Sequence, residues 1–230
     1  MPGQITLLRN ATLLVRFAGE EILVDPMFDP VGATPPIANT PNDRRNPMLP
    51  LPDVDVDPDA IAVTHTHNDH FDETARETLP KDCPVFCQPE DEAAIADAGF
   101  EDVRPVERAL SWGDIEFVRT DGRHGTGEIG ARMAPVSGFV LRADAEPTLY
   151  IAGDTVWCPE VEAVLDEYGP ETIVVNAGAA RFNDGDPITM TKEDVAKACR
   201  AAPESRVVAV HMDAINHCLL TRDELRAFLD

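Results

Sequence analysis

Thr64-His65-Thr66-His67-Asn68-Asp69-His70 follows the apolar run Ala60–Val63 and sets four potential metal ligands within six residues. Core packing gives no reason for imidazoles at that density. Neutral imidazole and carboxylate suit zinc, manganese or iron, and neighbours such as Asp69 and His70 do not easily share every metal contact with His65 and His67. Two ions are the economical solution. The chain has six histidines, and all of them fall in this stretch, at His124, or within His211–His217. Taken alone, His124 would read as a satisfied polar core residue; beside the cluster, a ligand is the stronger reading.

Outward from the cluster, short apolar runs at Ile5–Leu8, Thr12–Phe17 and Glu21–Val24, split by Arg9-Asn10 and Ala18-Gly19, predict an antiparallel meander. From Asp25 to Pro58 the chain is rich in Pro, Asn and Asp without a sustained period, so a long irregular segment is expected, of the kind that often carries function. After the strand Ala60–Val63, the pattern predicts a helix over Phe71–Leu79, a strand over Pro84–Cys87 and a helix over Pro89–Asp97. Further strands are expected at Ile115–Arg119, Ser137–Arg142, Thr148–Ile151, Thr172–Asn176 and Arg206–Val210. Helices are expected at Pro159–Tyr168, Lys192–Arg200 and Arg222–Leu229, the last two opening on the capping-box spacings Thr191/Asp194 and Thr221/Glu224. A meander followed by strands alternating with helices, met twice, argues for two sheets packed face to face under helices.

The length of 230 residues is read as one domain over 1–230. The opening MPGQITLLRN lacks the apolar stretch of a secretory signal, and no run nears the length that crosses a bilayer, so a cytoplasmic, non-membrane protein is expected. Five scattered cysteines read as reduced thiols, and Cys83 with Cys87 lacks the second pair that a zinc site would need. A formal charge of −23, with Lys81, Lys192 and Lys197 the only lysines, argues against nucleic acid as a partner. Such self-repulsion is relieved by screening, so a high-salt, halophilic cytoplasm is the expected setting. The expected partner is a small-molecule substrate, with a homo-oligomer left open.

His-x-His-x-Asp-His at 65–70, then His124, then Gly153-Asp154-Thr155 after one apolar strand, then His211 after another, resembles the metallo-β-lactamase superfamily over nearly the whole chain. Within it, the sequence is similar to small single-domain hydrolases that include ascorbate-6-phosphate lactonase-like proteins, rather than to the antibiotic-degrading branch. The resemblance implies an α+β fold, a four-layer αβ/βα sandwich of two mixed β-sheets flanked by helices, with metals at one edge. It also implies that His65, His67 and His124 hold one metal and Asp69, His70 and His211 a second, bridged by Asp154. Two divalent ions, zinc first and then manganese or iron, would generate hydroxide near neutral pH and polarise a carbonyl or phosphoryl oxygen.

The function expected is therefore metal-dependent hydrolysis of an ester, lactone, amide or phosphodiester in a small molecule. Asp69 is expected to orient the nucleophile and His217 to contact substrate or donate a proton. Asp25 is expected beneath the ligands, while Asn176, Asp213 and Asn216 are candidates to orient them and Arg181 to bind an anion; loop-stabilising hydrogen bonds are the equal alternative for Asp213, Asn216 and His217, and surface solvation for Arg181. Two alternatives stand beside this reading. One is a mononuclear iron sulfur-compound dioxygenase, which keeps the same motif; the other is a catalytically silent metal-binding protein, against which the complete ligand set counts. His67 stands where di-iron flavoproteins of the superfamily have glutamate, so di-iron oxygen chemistry is disfavoured.

Overall fold

The computed structural model describes residues 3–133, 135–144 and 146–230. β1 (Gln4–Arg9), β2 (Thr12–Phe17) and β3 (Glu20–Val24) form the expected antiparallel meander. Its second turn is Ala18-Gly19 with φ of 52° and 91°, two left-handed residues in succession, as a tight hairpin following the strand twist requires. Residues 25–58 then form a long loop containing a single isolated bridge, Thr34 to Asn46.

Parallel strands follow: β4 (Ala60–Val63), α1 (Glu73–Thr78), β5 (Val85–Cys87), α2 (Glu92–Asp97) and β6 (Val103–Pro105), completing a sheet in the order β1-β2-β3-β4-β5-β6. Helix α1 is shorter than Phe71–Leu79 because Asp72 caps it, accepting from the Ala75 N–H at 2.8 Å, while Phe71 before it is buried in the core. The helix expected over Pro89–Asp97 opens as a 3₁₀ turn, Pro89–Asp91, before α2.

The second sheet repeats the plan. Antiparallel β7 (Ala109–Trp112), β8 (Ile115–Asp121), β9 (Ser137–Arg142) and β10 (Leu149–Ile151) lead to parallel β11 (Thr172–Asn176) and β12 (Arg206–Val210). A one-turn helix α3 (Gly127–Gly130) precedes β9, and α4 (Pro159–Tyr168), α5 (Lys192–Ala201) and α6 (Arg222–Leu229) cover the outside. Both expected capping boxes are formed, at Thr191 with Asp194 and at Thr221 with Glu224. The short strands β6 and β7 and helix α3 lay outside the sequence expectations, since three or four residues of mixed polarity carry too little periodicity.

Alternation along the strands builds the four layers. In β4, Ala60 and Ala62 face the other sheet, while Ile61 and Val63 face outward with Phe71, Ala75 and Ile95 under α1 and α2. In β11, Val174 faces inward, and Ile173 and Val175 lie with Val161, Val164 and Val195 under α4 and α5. Burial on both faces is why these strands read as unbroken apolar runs. Between the sheets, the Phe86 and Phe117 rings stack with centroids 4.1 Å apart. No helix among the described residues is long and apolar enough to cross a membrane.

Candidate metal centre

β3, β4, β8, β10, β11 and β12 all end on one side of the sandwich, and the polar residues just beyond those ends converge there. Asp25 follows β3, Thr64 to His70 follow β4, His124 follows β8, Asp154 follows β10, and His211 follows β12. Asn176 is the last residue of β11. The strand exits are tight: Asp25, Gly153 and His211 have φ of 46°, 68° and 64°. Left-handed backbone at non-glycine residues is costly and accumulates at functional sites, and here two of the three are a proposed ligand and its support. A Cβ at Gly153 would sit 2.6 Å from the Ser137 carbonyl, so only glycine lets this turn deliver Asp154.

The donors form two groups, His65 with His67 and His124, and Asp69 with His70, Asp154 and His211, each with ligand atoms within 4.8 Å of one another. Asp154 touches both: Oδ2 lies 3.3 Å from His70 Nε2 and 3.6 Å from His124 Nε2, and Oδ1 lies 3.5 Å from His211 Nε2. Asp69 Oδ2 is 3.2 Å from His211 Nε2. Asn176 donates to Asp154 Oδ1 at 2.7 Å, which fixes the rotamer of that carboxylate.

Tautomers decide whether this set fits a cation. The Ile188 carbonyl only accepts, so His124 donates to it from Nδ1 at 2.9 Å and, when neutral, turns an Nε2 lone pair toward the centre. Buried Asp25 accepts from the Thr64 amide, the Thr64 hydroxyl and His70 Nδ1, each at 2.8 Å. Having given its proton to Asp25, the Thr64 hydroxyl accepts from His65 Nδ1 at 3.2 Å, so His65 Nε2 is also a lone pair. His70 Nε2 in turn faces His211 Nε2 at 3.1 Å. Ring nitrogens directed at one another, flanked by two carboxylates, leave a gap that a positive charge satisfies, and the nitrogen and oxygen donors suit zinc, manganese or iron.

In the metal-free protein the carboxylates favour protonation of the imidazoles nearest them. Burial alone would depress His70, but Asp154, Asp25 and Asp69 outweigh it and raise the imidazole to about 10. His211 is raised in the same way against burial by Asp154, with Cys218 and Asp69 adding to it. Asp69 and Asp154 are held well below the usual carboxylate range, because His70 and His211 overcome the opposing effect of burial. His65, His67 and His124 go the other way, lowered chiefly by burial, and so are neutral.

Above the donors is a cavity of about 350 Å³, floored by His67, Asp69, His124, Asp154 and His217 and walled by apolar side chains including Met27, Ile37 and Ile215. The long loop supplies Thr34, Pro35 and Ile37 to that wall. Its anchor is Asn216, whose carboxamide accepts from the Ile37 N–H at 3.0 Å and from Asn46 at 2.8 Å and donates to Thr40 at 2.7 Å and the Asn42 carbonyl at 2.6 Å. Of the two roles read for Asn216, orienting ligands and stabilising a loop, its polar atoms take the second. Arg181 and Asp213 were expected at the pocket and are not brought to it. Ala180 is buried and turns exposed Arg181 outward into a separate surface groove, and Asp213 pairs with Arg222 at 3.6 Å.

Asn10 is the supporting residue that sequence reading missed. From a left-handed turn with φ 54°, its carboxamide donates to the Asp69 carbonyl at 3.0 Å, and its own carbonyl accepts from the His211 N–H at 2.9 Å. Asparagine is common in such turns, so no signal in the sequence separates the two roles. Gly178 is equally placed: a Cβ there would collide with the His211 carbonyl and stand 2.8 Å from Cys218 Sγ. Gly178→Ala is therefore expected to lose about 1–3 kcal/mol of stability and to weaken metal uptake. Urea melts with and without zinc check this, and an unchanged midpoint in both would show that the contact relaxes at no cost.

A family model described as a beta-lactamase superfamily domain matches residues 20–212. The UPF0173 protein YddR of Bacillus subtilis is 39% identical over 231 residues, covering 97% of this chain and 91% of that protein. Among solved structures, one described as a possible metal-dependent hydrolase from Veillonella parvula superposes with a TM-score of 0.95 at 35% identity, over 100% of this chain and 92% of that one. An isothiocyanate hydrolase from Delia radicum gut bacteria superposes with a TM-score of 0.92 at 39% identity, over 97% of this chain and 90% of that one.

Proposed function

We propose a function from one premise: the chain belongs to the beta-lactamase superfamily domain family. It is a metal-dependent hydrolase acting on a small molecule, and its centre takes two divalent ions, one on His65, His67 and His124 and one on Asp69, His70 and His211, with Asp154 between them. The observation that carries this reading is the gathering of all seven side chains into two adjoining donor groups, four of whose members, His67, Asp69, His124 and Asp154, form the floor of one apolar-walled cavity. Bound divalent ions supply Lewis acidity, lowering the pKa of water and drawing charge off the bond to be cleaved.

The cavity wall narrows the substrate. Among the described residues lining it there is no lysine or arginine, whereas Met27, Ile37, Met133, Phe182 and Ile215 offer apolar surface. A neutral molecule with a small reactive head and an apolar substituent fits that chemistry better than a phosphodiester, whose charge would find no side-chain cation. An isothiocyanate has this form, and the 39% identical isothiocyanate hydrolase supports it as the first substrate class to test. The balanced reaction is R–N=C=S + H₂O → R–NH₂ + O=C=S. Asp69 and His217 both line the cavity, and His217 belongs to neither donor group; in this reading Asp69 orients the attacking water and His217 protonates the departing nitrogen.

The test is amine release from 2-phenylethyl isothiocyanate by zinc-loaded and chelator-treated protein, beside p-nitrophenyl acetate, γ-thiobutyrolactone and bis-p-nitrophenyl phosphate, with metal content measured on the same samples. Chelation is expected to abolish amine release, and His211→Ala to bring the metal content from close to two per chain toward one. Cleavage of the ester or lactone with no amine release would move the reaction to an acyl bond. Full turnover after complete metal removal would end the reading.

A further inference from the structure

The reaction cavity shares a wall with a second groove. Met133 and Phe182 line both the cavity of about 350 Å³ and a groove of about 670 Å³ on their far side. That groove runs between α3, the 184–186 turn and Ala38-Asn39 of the long loop. Its sides are tied together: the Asn183 N–H donates to the Asn39 carbonyl at 2.8 Å, and Ile129 packs against Gly185, where φ is +113° and there is no Cβ to obstruct it.

Phe182 and Met133 are only partly buried, packed against the buried cluster beneath, which holds Met27, Ala180, Ile188, Ala214 and Ile215. The Phe182 ring centroid lies 6.3 Å from that of His217. Both side chains thus stand between two open spaces, within reach of the reacting end of a substrate.

We propose that Phe182 and Met133 form a partition that sets the length of the substrate's apolar substituent, and that the groove beyond is a subsite for longer substituents when the partition is cut back. The proposal rests on reading the inner cavity as the hydrolytic site. Glu128, Asp184 and Asp186 outnumber Arg132 in the groove, so it takes neutral or cationic ends rather than carboxylates. With the partition in place, short substituents such as benzyl and 2-phenylethyl are preferred.

The test compares wild type with Phe182→Ala, Met133→Ala and Phe182→Trp along a series of ω-phenylalkyl isothiocyanates from benzyl to 6-phenylhexyl, scored by kcat/KM. Beside it, the matching phenylalkanols are titrated into metal-free protein, with the Met27 and Ile129 methyl NMR signals reporting the cavity and the groove. Phe182→Ala is expected to raise the ratio of kcat/KM for the 6-phenylhexyl compound to that for benzyl roughly tenfold over wild type, the low end of what one methylene in an apolar pocket is worth. Met133→Ala shifts the optimum the same way and Phe182→Trp shortens it. Long alcohols move the Ile129 signal in the alanine variants only. One length order shared by all four proteins, in turnover and in alcohol binding, overturns the partition. If none of the four releases amine from any isothiocyanate, the choice of substrate class fails by itself, and the alcohol titrations still decide the partition.

Discussion

Asp154→Asn is expected to lower turnover by roughly a hundredfold or more, since removing a partner one shell further out already costs about 10–100-fold. The geometry makes the loss specific. Asn176 donates to Oδ1 at 2.7 Å, so the new carboxamide would keep its oxygen there and turn its NH₂ to the position of Oδ2. That position faces His70 Nε2 at 3.3 Å and His124 Nε2 at 3.6 Å, so a donor would replace an anion at the point where both groups meet. Metal content should fall with turnover, and added zinc should restore only part of it. Circular dichroism should be unchanged, because the apolar surface between the sheets and under the helices lies in clusters that do not include Asp154. Wild-type metal content together with wild-type turnover would remove Asp154 from the bridge and leave Gly153-Asp154-Thr155 an ordinary strand-to-loop turn.

What the sequence disclosed follows a physical division. Period and burial are local properties, so the long strands β2, β9 and β11 and the helices with strong caps could be read directly, as could the ligand-rich segment after β4. The strands β6 and β7 could not, because three or four residues are too few to carry a readable period, even in β7 where burial alternates. Around the centre, residues that meet their partners through side chains of a distinctive type, such as Asp25 beneath His70 or Asn176 beside Asp154, were legible. Contacts that end on backbone groups were not: the Ile188 carbonyl sets the His124 tautomer, and Asn10 reaches the Asp69 carbonyl with its carboxamide and the His211 N–H with its own carbonyl. Polar residues near a ligand in sequence were also misleading guides to direction. Asn216 lies five positions from His211 yet serves the long loop, a role that depends on contacts about 170 residues away.

The second large effect expected concerns pH. In the metal-free protein His70 is raised from an unfolded value of about 6.5 to about 10, chiefly by Asp154, Asp25 and Asp69 acting against burial. A raised folded value means that the folded state holds the extra proton: the stabilisation is complete below about 6.5 and is lost as the pH climbs through about 10. The limit for one such proton is about 1.4 kcal/mol per pH unit. His211 is shifted in the same direction and adds to the slope. Metal binding requires both imidazoles neutral, so the ion competes with these protons and its affinity rises over the range in which the metal-free fold weakens. The melting temperature of chelator-treated protein should therefore fall between pH 7 and 10, while that of the zinc-loaded protein holds level or rises. Calorimetric zinc titrations in buffers of different ionisation enthalpy should show protons released on binding at pH 7. A metal-free melting temperature that does not change across this range, with no proton release, would mean that His70 is already neutral and that the carboxylates around it are balanced in another way.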